Sequence, residues 1–256
     1  MKLIKPKKKF GQHFLTDQKI SQKIVDLLTL KNYDTIIEVG PGTGALTRNI
    51  IKLKCKSYFI DIDKESIKYL KIKYPSISEN IYEYNFLNFD INLLASKSVA
   101  IIGNFPYNIS SQILFSLYDN NFQVNEIVGM FQKEVAERIS SPPNSKNYGI
   151  LSVLMQTYYD IEYKFTVNEN SFYPIPRVKS GVLLFKRNRR KKIHCNEKLF
   201  KSIIKLTFNK RRKKIKNTLD PNFINKINSP LLSLRAENLS VEDFIYLTTL
   251  IENNLS

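Results

Sequence analysis

Cysteine and glycine are scarce in this 256-residue sequence, with two and eight residues respectively. Cys55 and Cys195 lie far apart, and neither has a Cys or His neighbour at metal-ligand spacing. A disulfide framework is thereby excluded, and structural zinc is not expected. Long apolar runs are also missing: none approaches the roughly 20 residues that a membrane span requires. The lysine-rich start is not followed by an apolar segment, so it does not read as a secretory signal. No internal repeat is present. These absences point to a soluble protein of a reducing compartment, expected in the cytoplasm, with no membrane partner and no metal.

Acidic residues are few: 23 Asp and Glu stand against 40 Lys and Arg, a formal charge of +17. That exceeds what solubility needs and predicts a polyanionic partner, nucleic acid ahead of a membrane surface. Compositional drift would scatter the charge, whereas here it is clustered. Lys2, Lys5, Lys7, Lys8 and Lys9 form an N-terminal arm, Lys186 to Lys192 a basic hinge, and Lys210 to Lys216 carry six cations. An apolar fraction of 43% and an aromatic fraction of 12% suffice for a folded core and exclude a disordered chain.

The periodicities describe an α/β protein. Thr35 to Val39 is a short β-rich run, the loop Gly40-Pro41-Gly42-Thr43-Gly44 interrupts it, and Leu46, Ile50 and Leu53 recur at helical spacing. Strand, glycine loop and helix open a Rossmann-like unit. The next strand ends at Asp61, about twenty residues beyond Gly40, where a carboxylate can accept the ribose hydroxyls of an adenosine cofactor. A helix follows from Lys64 to about Lys73, then a strand from Ile81 to Tyr84 ending at Asn85. Upstream, Phe10 to Leu15 is too apolar for a free tail and is expected to dock, after which Thr16 would cap a helix with Asp17 in its first turn. Downstream, Glu126–Gln132 reads as a strand and Lys133–Ile139 as its helix. Residues 158–167 and 180–186 alternate like sheet-edge strands. Beyond the basic hinge only helices are expected, including a basic one through Phe208–Lys216 and a last one opened by a capping box at Ser240–Asp243. The expected domains are residues 1–187 and a small all-α domain, residues 188–256.

The chemistry concentrates in Ile101-Ile102-Gly103-Asn104-Phe105-Pro106-Tyr107-Asn108-Ile109-Ser110-Ser111. A buried strand ends in a turn carrying Asn104 and Tyr107, at the sheet edge where open α/β sheets bind ligands. Asn offers both an acceptor and a donor, and Tyr a flat face on which a base can stack. Together they suit a planar ring with an exocyclic amine, although a plain strand and polar turn fit the pattern equally well. The stretch Phe172-Tyr173-Pro174-Ile175-Pro176 reads as a stiff extended loop, able to present Phe172 either to that pocket or to the core.

Six blocks in order resemble the small-subunit ribosomal RNA adenine N6,N6-dimethyltransferase family: Phe10–Leu15, Glu38–Gly44, Asn104–Ser111, Phe172–Ser180, Phe208–Lys213 and Arg235–Ser240. The resemblance implies a class I methyltransferase sheet with S-adenosylmethionine as methyl donor and no metal. It implies a substrate of ribosomal RNA in a small-subunit assembly intermediate, with two adjacent adenosines near the 3′ end dimethylated by a monomeric enzyme. By that resemblance His13, Leu15, Gly40, Asp61, Asn85 and Asn104 line the cofactor site, and Asn104, Pro106, Tyr107 and Phe172 serve the target base. Asp61 stands where the family more often has Glu, one methylene shorter but able to bridge the ribose hydroxyls. Asn85 stands where the family usually has Asp facing the adenine amine; its amide oxygen can accept that hydrogen bond without charge assistance, which predicts weaker cofactor binding. A nicotinamide-dependent oxidoreductase would account for Asp61 but for neither the charge nor Asn104–Tyr107. A degenerate methyltransferase acting as an RNA-assembly factor is disfavoured by the intact Asn104–Tyr107 turn. A resistance-type methyltransferase of large-subunit RNA is disfavoured by Lys133–Arg138 and Phe208–Lys213.

Overall fold

The computed structural model describes residues 4–91, 98–119 and 123–255, so Lys2 of the basic arm lies outside the described residues. The strands are β1 (Phe14–Leu15), β2 (Thr35–Val39), β3 (Lys56–Asp61), β4 (Ile81–Glu83), β5 (Val99–Asn104), β6 (Val124–Gln132), β7 (Tyr159–Val167), β8 (Phe172–Tyr173) and β9 (Ser180–Arg187). The helices are α1 (Gln18–Val25), α2 (Thr47–Ile50), α3 (Lys64–Lys73), α4 (Ser110–Asp119), α5 (Lys133–Ser140), α6 (Ile150–Tyr158), α7 (Glu197–Asn209), α8 (Pro221–Ile224) and α9 (Val241–Leu255). The chain divides into two compact units, residues 1–136 with 160–187, and residues 137–159 with 188–256.

The first unit is organised by a seven-stranded sheet of order β4-β3-β2-β5-β6-β9-β7. β2 pairs parallel with β3 and β5, as do β3 with β4 and β5 with β6. Strands of this kind are covered on both faces, which is why β2 is buried at every position and reads Ile-Ile-Glu-Val instead of alternating. Ile36, Ile50, Phe59, Leu70 and Ile102 form one cluster against it. Each fully buried side chain of this size contributes about 1.5–3 kcal/mol. The chain leaves β2 towards β3 and β4, then returns to the other side of β2 as β5. This reversal opens a crevice outside the carboxyl ends of β2 and β5.

Three local expectations are corrected. Asp17, not Thr16, caps α1 by accepting the Lys19 and Ile20 N–H groups at 2.8 and 3.1 Å, while the Thr16 hydroxyl donates to the Ser171 carbonyl at 2.9 Å. β9 is an interior strand, antiparallel to β6, because its apolar run Val182–Phe185 is buried throughout; only β7 stands at that edge. The basic run after Phe208 is not one continuous helix: α7 stops at Asn209, Lys210 to Lys213 follow on turns and a bend, Lys214 lies in an isolated bridge with Arg235, and Lys216 lies in a single 3-10 turn, Ile215–Asn217.

The second unit is helical. Phe208 of α7 lies between Phe244 of α9, stacked at 5.9 Å, and Tyr148, edge-on at 6.0 Å. The expected capping box opens α9: Ser240 N–H donates to the Asp243 carboxylate at 2.9 Å and Asp243 N–H to Ser240 Oγ at 3.1 Å. Arg211 is held inside this unit, its Nε donating to Glu237 at 2.6 Å and its Nη2 to the Ser145 carbonyl at 3.2 Å. Arg212, Lys213, Lys214 and Lys216 are exposed.

Candidate active site

Four of the parallel strands, β2 to β5, each deliver one position to the crevice at their carboxyl ends. Gly40 follows β2, Asp61 ends β3, Asn85 follows β4, Asn104 ends β5, and all line a single cavity. The glycine loop takes conformations that a side chain would oppose: Gly40 has φ +69° and Gly42 φ +53°, and a Cβ at Gly42 would meet the Phe14 ring at 2.8 Å.

Asp61 is nearly enclosed and lies close to Glu38, which is 1% exposed. Burial pushes the Asp61 carboxyl up to about 6, against the opposing pull of the Asp63 and Gly42 amides. Its Oδ1 accepts the Asp63 N–H at 2.9 Å and its Oδ2 the Gly42 N–H at 3.0 Å. Each oxygen therefore keeps a further acceptor position, which is what a pair of ribose hydroxyls requires. Burial pushes Glu38 up to about 8, and its Oε2 accepts the Thr47 hydroxyl at 2.6 Å. Asn85 Oδ1 accepts the Leu87 N–H at 3.1 Å, which leaves that oxygen one further acceptor position beside the Nδ2 donors.

The N-terminal arm forms the opposite wall. Residues 9–14 line the cavity. The arm is fastened at Asp63, whose side chain is 1% exposed: Lys7 Nζ lies 2.6 Å from Oδ1 and Gln12 Nε2 donates to Oδ2 at 3.2 Å. Burial opposes ionisation of Asp63, but Lys7, Gln12 and Ser66 outweigh it and hold the carboxyl below its usual range. The arm is fastened again at Asn104, whose Nδ2 donates to the His13 carbonyl at 2.8 Å. The carbonyl can only accept, so the Asn104 amide is oriented and Oδ1 is left unengaged among the described residues.

His13 Nδ1 lies 2.8 Å from the Pro174 carbonyl, which requires the proton on Nδ1. The His13 ring stacks on Tyr107 with centroids 5.4 Å apart, and the Tyr107 hydroxyl pairs with Ser180 Oγ at 2.6 Å. Burial pushes the Tyr107 phenol up. Pro106 lines the cavity, and its carbonyl accepts the Ile109 N–H at 3.1 Å.

The structure thus brings His13, Gly40, Asp61, Asn85, Asn104, Pro106 and Tyr107 to one cavity. Leu15 and Phe172 lie elsewhere. They face each other across the β1–β8 pair and are each 3% exposed, within the core cluster. The register turns both inward, so the loop does not present Phe172 to the pocket of Tyr107. Asp63, Tyr84 and Phe86 belong to the site or its fastening without having been singled out in the sequence, and Gln12 was marked only as part of the docking Phe10–Leu15 block. Of the first three, Asp63 alone had a signal, an acid at the start of a helix. Among the described residues no group of three His, Cys, Asp or Glu side chains is placed to hold a metal ion, and no helix is long and apolar enough to cross a membrane.

The sequence model of the ribosomal RNA adenine dimethylase family matches residues 4–252. The chain is 48% identical to the ribosomal RNA small subunit methyltransferase A of Flavobacterium johnsoniae, over 98% of both chains. Its identity to the protein of that name from Bacteroides fragilis is 46%, over 100% of this chain and 95% of the relative. Among solved structures, a dimethyladenosine transferase from Plasmodium falciparum superposes with a TM-score of 0.79 at 25% identity, covering 94% of this chain and 98% of that one. The 23S rRNA methyltransferase ErmE shares the fold, with a TM-score of 0.67 at 20% identity over 92% of this chain and 99% of that one. The chain belongs to the ribosomal RNA adenine dimethylase family.

Proposed function

We propose that this chain is an S-adenosylmethionine-dependent methyltransferase that dimethylates N6 of two adjacent adenosines near the 3′ end of small-subunit ribosomal RNA, acting as a monomer on an assembly intermediate in the cytoplasm. The observation that carries this reading is Asn104. Its donor is committed to the arm, and its acceptor is left at the cavity wall beside Tyr107.

S-adenosylmethionine supplies a methyl group already activated on a sulfonium. The protein's task is then alignment of the acceptor and adjustment of its lone pair. An adenine amine is a poor nucleophile because its lone pair is delocalised into the ring. Asn104 Oδ1 and a carbonyl of the Phe105–Pro106 turn accept its two hydrogens and favour a pyramidal nitrogen. One face of Tyr107 is occupied by His13, and the other takes the base. Stacking contributes roughly 1–3 kcal/mol, comparable to the few kcal/mol that extracting a base costs. Asp61 holds the ribose hydroxyls of the donor, and the arm, fastened at Asp63 and Asn104, covers it. His13 is bound at Nδ1 and stacked, which suits a positioning role over proton transfer; once alkylated, the nitrogen can lose its proton to water.

Residues 1–187 carry this chemistry, and residues 188–256 bind RNA through Arg212, Lys213, Lys214 and Lys216. Labelled methyl incorporation into small-subunit particles purified without their adenine methylation tests the reading. Incorporation into small- but not large-subunit RNA is expected, and label in large-subunit RNA alone would refute it.

A further inference from the structure

Three large apolar side chains face solvent within one short stretch of the first unit: Tyr173, Ile175 and Val178 are 62%, 63% and 43% exposed. The stretch is pinned rather than loose. Phe172 and Ser180 at its ends are buried, as is Pro176 between them. His13 Nδ1 meets the Pro174 carbonyl at 2.8 Å, and the Lys133 N–H donates to the Lys179 carbonyl at 2.9 Å. A held segment that still offers bulky apolar groups to water marks a surface kept for a partner.

The strand register fixes where the stretch faces. Phe14 stands opposite Tyr173, and Leu15 opposite Phe172. Opposed residues of an antiparallel pair project to the same side, and successive residues to opposite sides. Leu15 and Phe172 go to the core, and Phe14 goes to the cavity wall. Tyr173 is therefore on the cavity side. Arg177 and Lys179 are exposed on the same stretch and make no ion pair among the described residues. A flat ring for a base with unpaired cations beside it is what a splayed single strand requires.

We infer that the 173–179 stretch is a second RNA contact at this site: Tyr173, with Ile175 beside it, receives the nucleobase next to the one being methylated, and Arg177 and Lys179 receive its phosphates. The inference rests on the reading of the site as a ribosomal RNA adenine methyltransferase. A single strand is favoured over a protein partner because the exposed apolar groups are interleaved with cations that have no acid to meet.

The test compares the full-length wild type with Tyr173→Ala, Tyr173→Phe and the double variant Arg177→Gln/Lys179→Gln. The substrate is small-subunit particles lacking adenine methylation, and S-adenosylhomocysteine binding is titrated in parallel. Tyr173→Ala is expected to raise the KM for the particle about tenfold, or about 1.4 kcal/mol, with cofactor-product affinity unchanged and with Tyr173→Phe restoring the KM. The double variant is expected to flatten the log–log salt dependence of RNA binding by about 1.4, from about 0.7 per phosphate contact on a single strand. An unchanged KM in Tyr173→Ala overturns the inference. So does a raised KM that Tyr173→Phe fails to restore or that accompanies lost S-adenosylhomocysteine binding, and so does an unchanged salt slope in the double variant. Failure of the wild type itself to methylate RNA would instead overturn the proposed function.

Discussion

Replacing Asn104 by alanine removes two separable things. One is the hydrogen bond from Nδ2 to the His13 carbonyl, 2.8 Å long, that fastens the arm. A neutral bond of this kind contributes about 1 kcal/mol, so its loss should weaken cofactor binding by no more than about tenfold. The other is Oδ1, the oriented acceptor proposed for the adenine amine. Removing one preorganised polar group from an active site costs about 10²–10³ in turnover, or about 2.7–4 kcal/mol. The second effect outweighs the first, so the chemical step should fall at least about 100-fold while RNA affinity is kept and cofactor affinity falls by no more than about tenfold. Asn104→Asp separates the two further. It restores an acceptor but sets a carboxylate oxygen against the His13 carbonyl, so an intermediate rate is expected. Single-turnover methyl transfer at saturating donor measures the step, with S-adenosylhomocysteine titration and RNA binding as controls. An alanine variant within about tenfold of wild type, or a rate loss matched by an equal loss of cofactor affinity, would refute the reasoning.

The remaining residues make their own predictions. Asn85→Asp keeps an acceptor for the Leu87 N–H and replaces the Nδ2 donor by a charged acceptor, so S-adenosylhomocysteine should bind about tenfold tighter by calorimetry; equal or weaker binding would refute the assignment. Asp61 carries a carboxyl pushed up to about 6 by burial, and its ionised form is the one with acceptors for both hydroxyls. Affinity should therefore fall as pH drops below about 6, and Asp61→Asn should bind weakly with no such pH dependence. Arg211→Ala should lower the thermal midpoint, because Arg211 ties Glu237 to Ser145, whereas Arg212→Gln/Lys213→Gln should leave the midpoint alone and flatten the salt dependence of RNA binding. The opposite pattern would assign Arg211 to RNA.

What was legible in the sequence follows a physical line. β2 and β5 are short β-branched runs closed by Gly40 and by Phe105-Pro106, and β3 is a short apolar run closed by an acid, so their ends place Gly40, Asp61 and Asn104 along the chain. The topology that gathers those ends is a property of parallel sheets. The fastening of the arm was not legible. Lys7 and Asp63 are 56 residues apart, and no local pattern announces an ion pair that forms only after both segments have folded. The inward turn of Phe172 depends on pairing with Leu15 in a two-stranded ribbon of two residues each, too short to leave a periodicity. The basic run misled for a different reason: lysine and arginine favour helix, but the backbone of 214–215 is drawn into an antiparallel bridge with 234–235, and that tertiary bond wins.

The most direct test of adenine N6 chemistry is the identity of the product. Small-subunit RNA methylated by the purified chain should be digested to nucleosides and resolved by mass spectrometry, with nuclease fragments mapped alongside. N6,N6-dimethyladenosine at two neighbouring positions near the 3′ end is the expected result. A methyl group on ribose, on another base, or on an adenine nitrogen other than N6 would contradict the account.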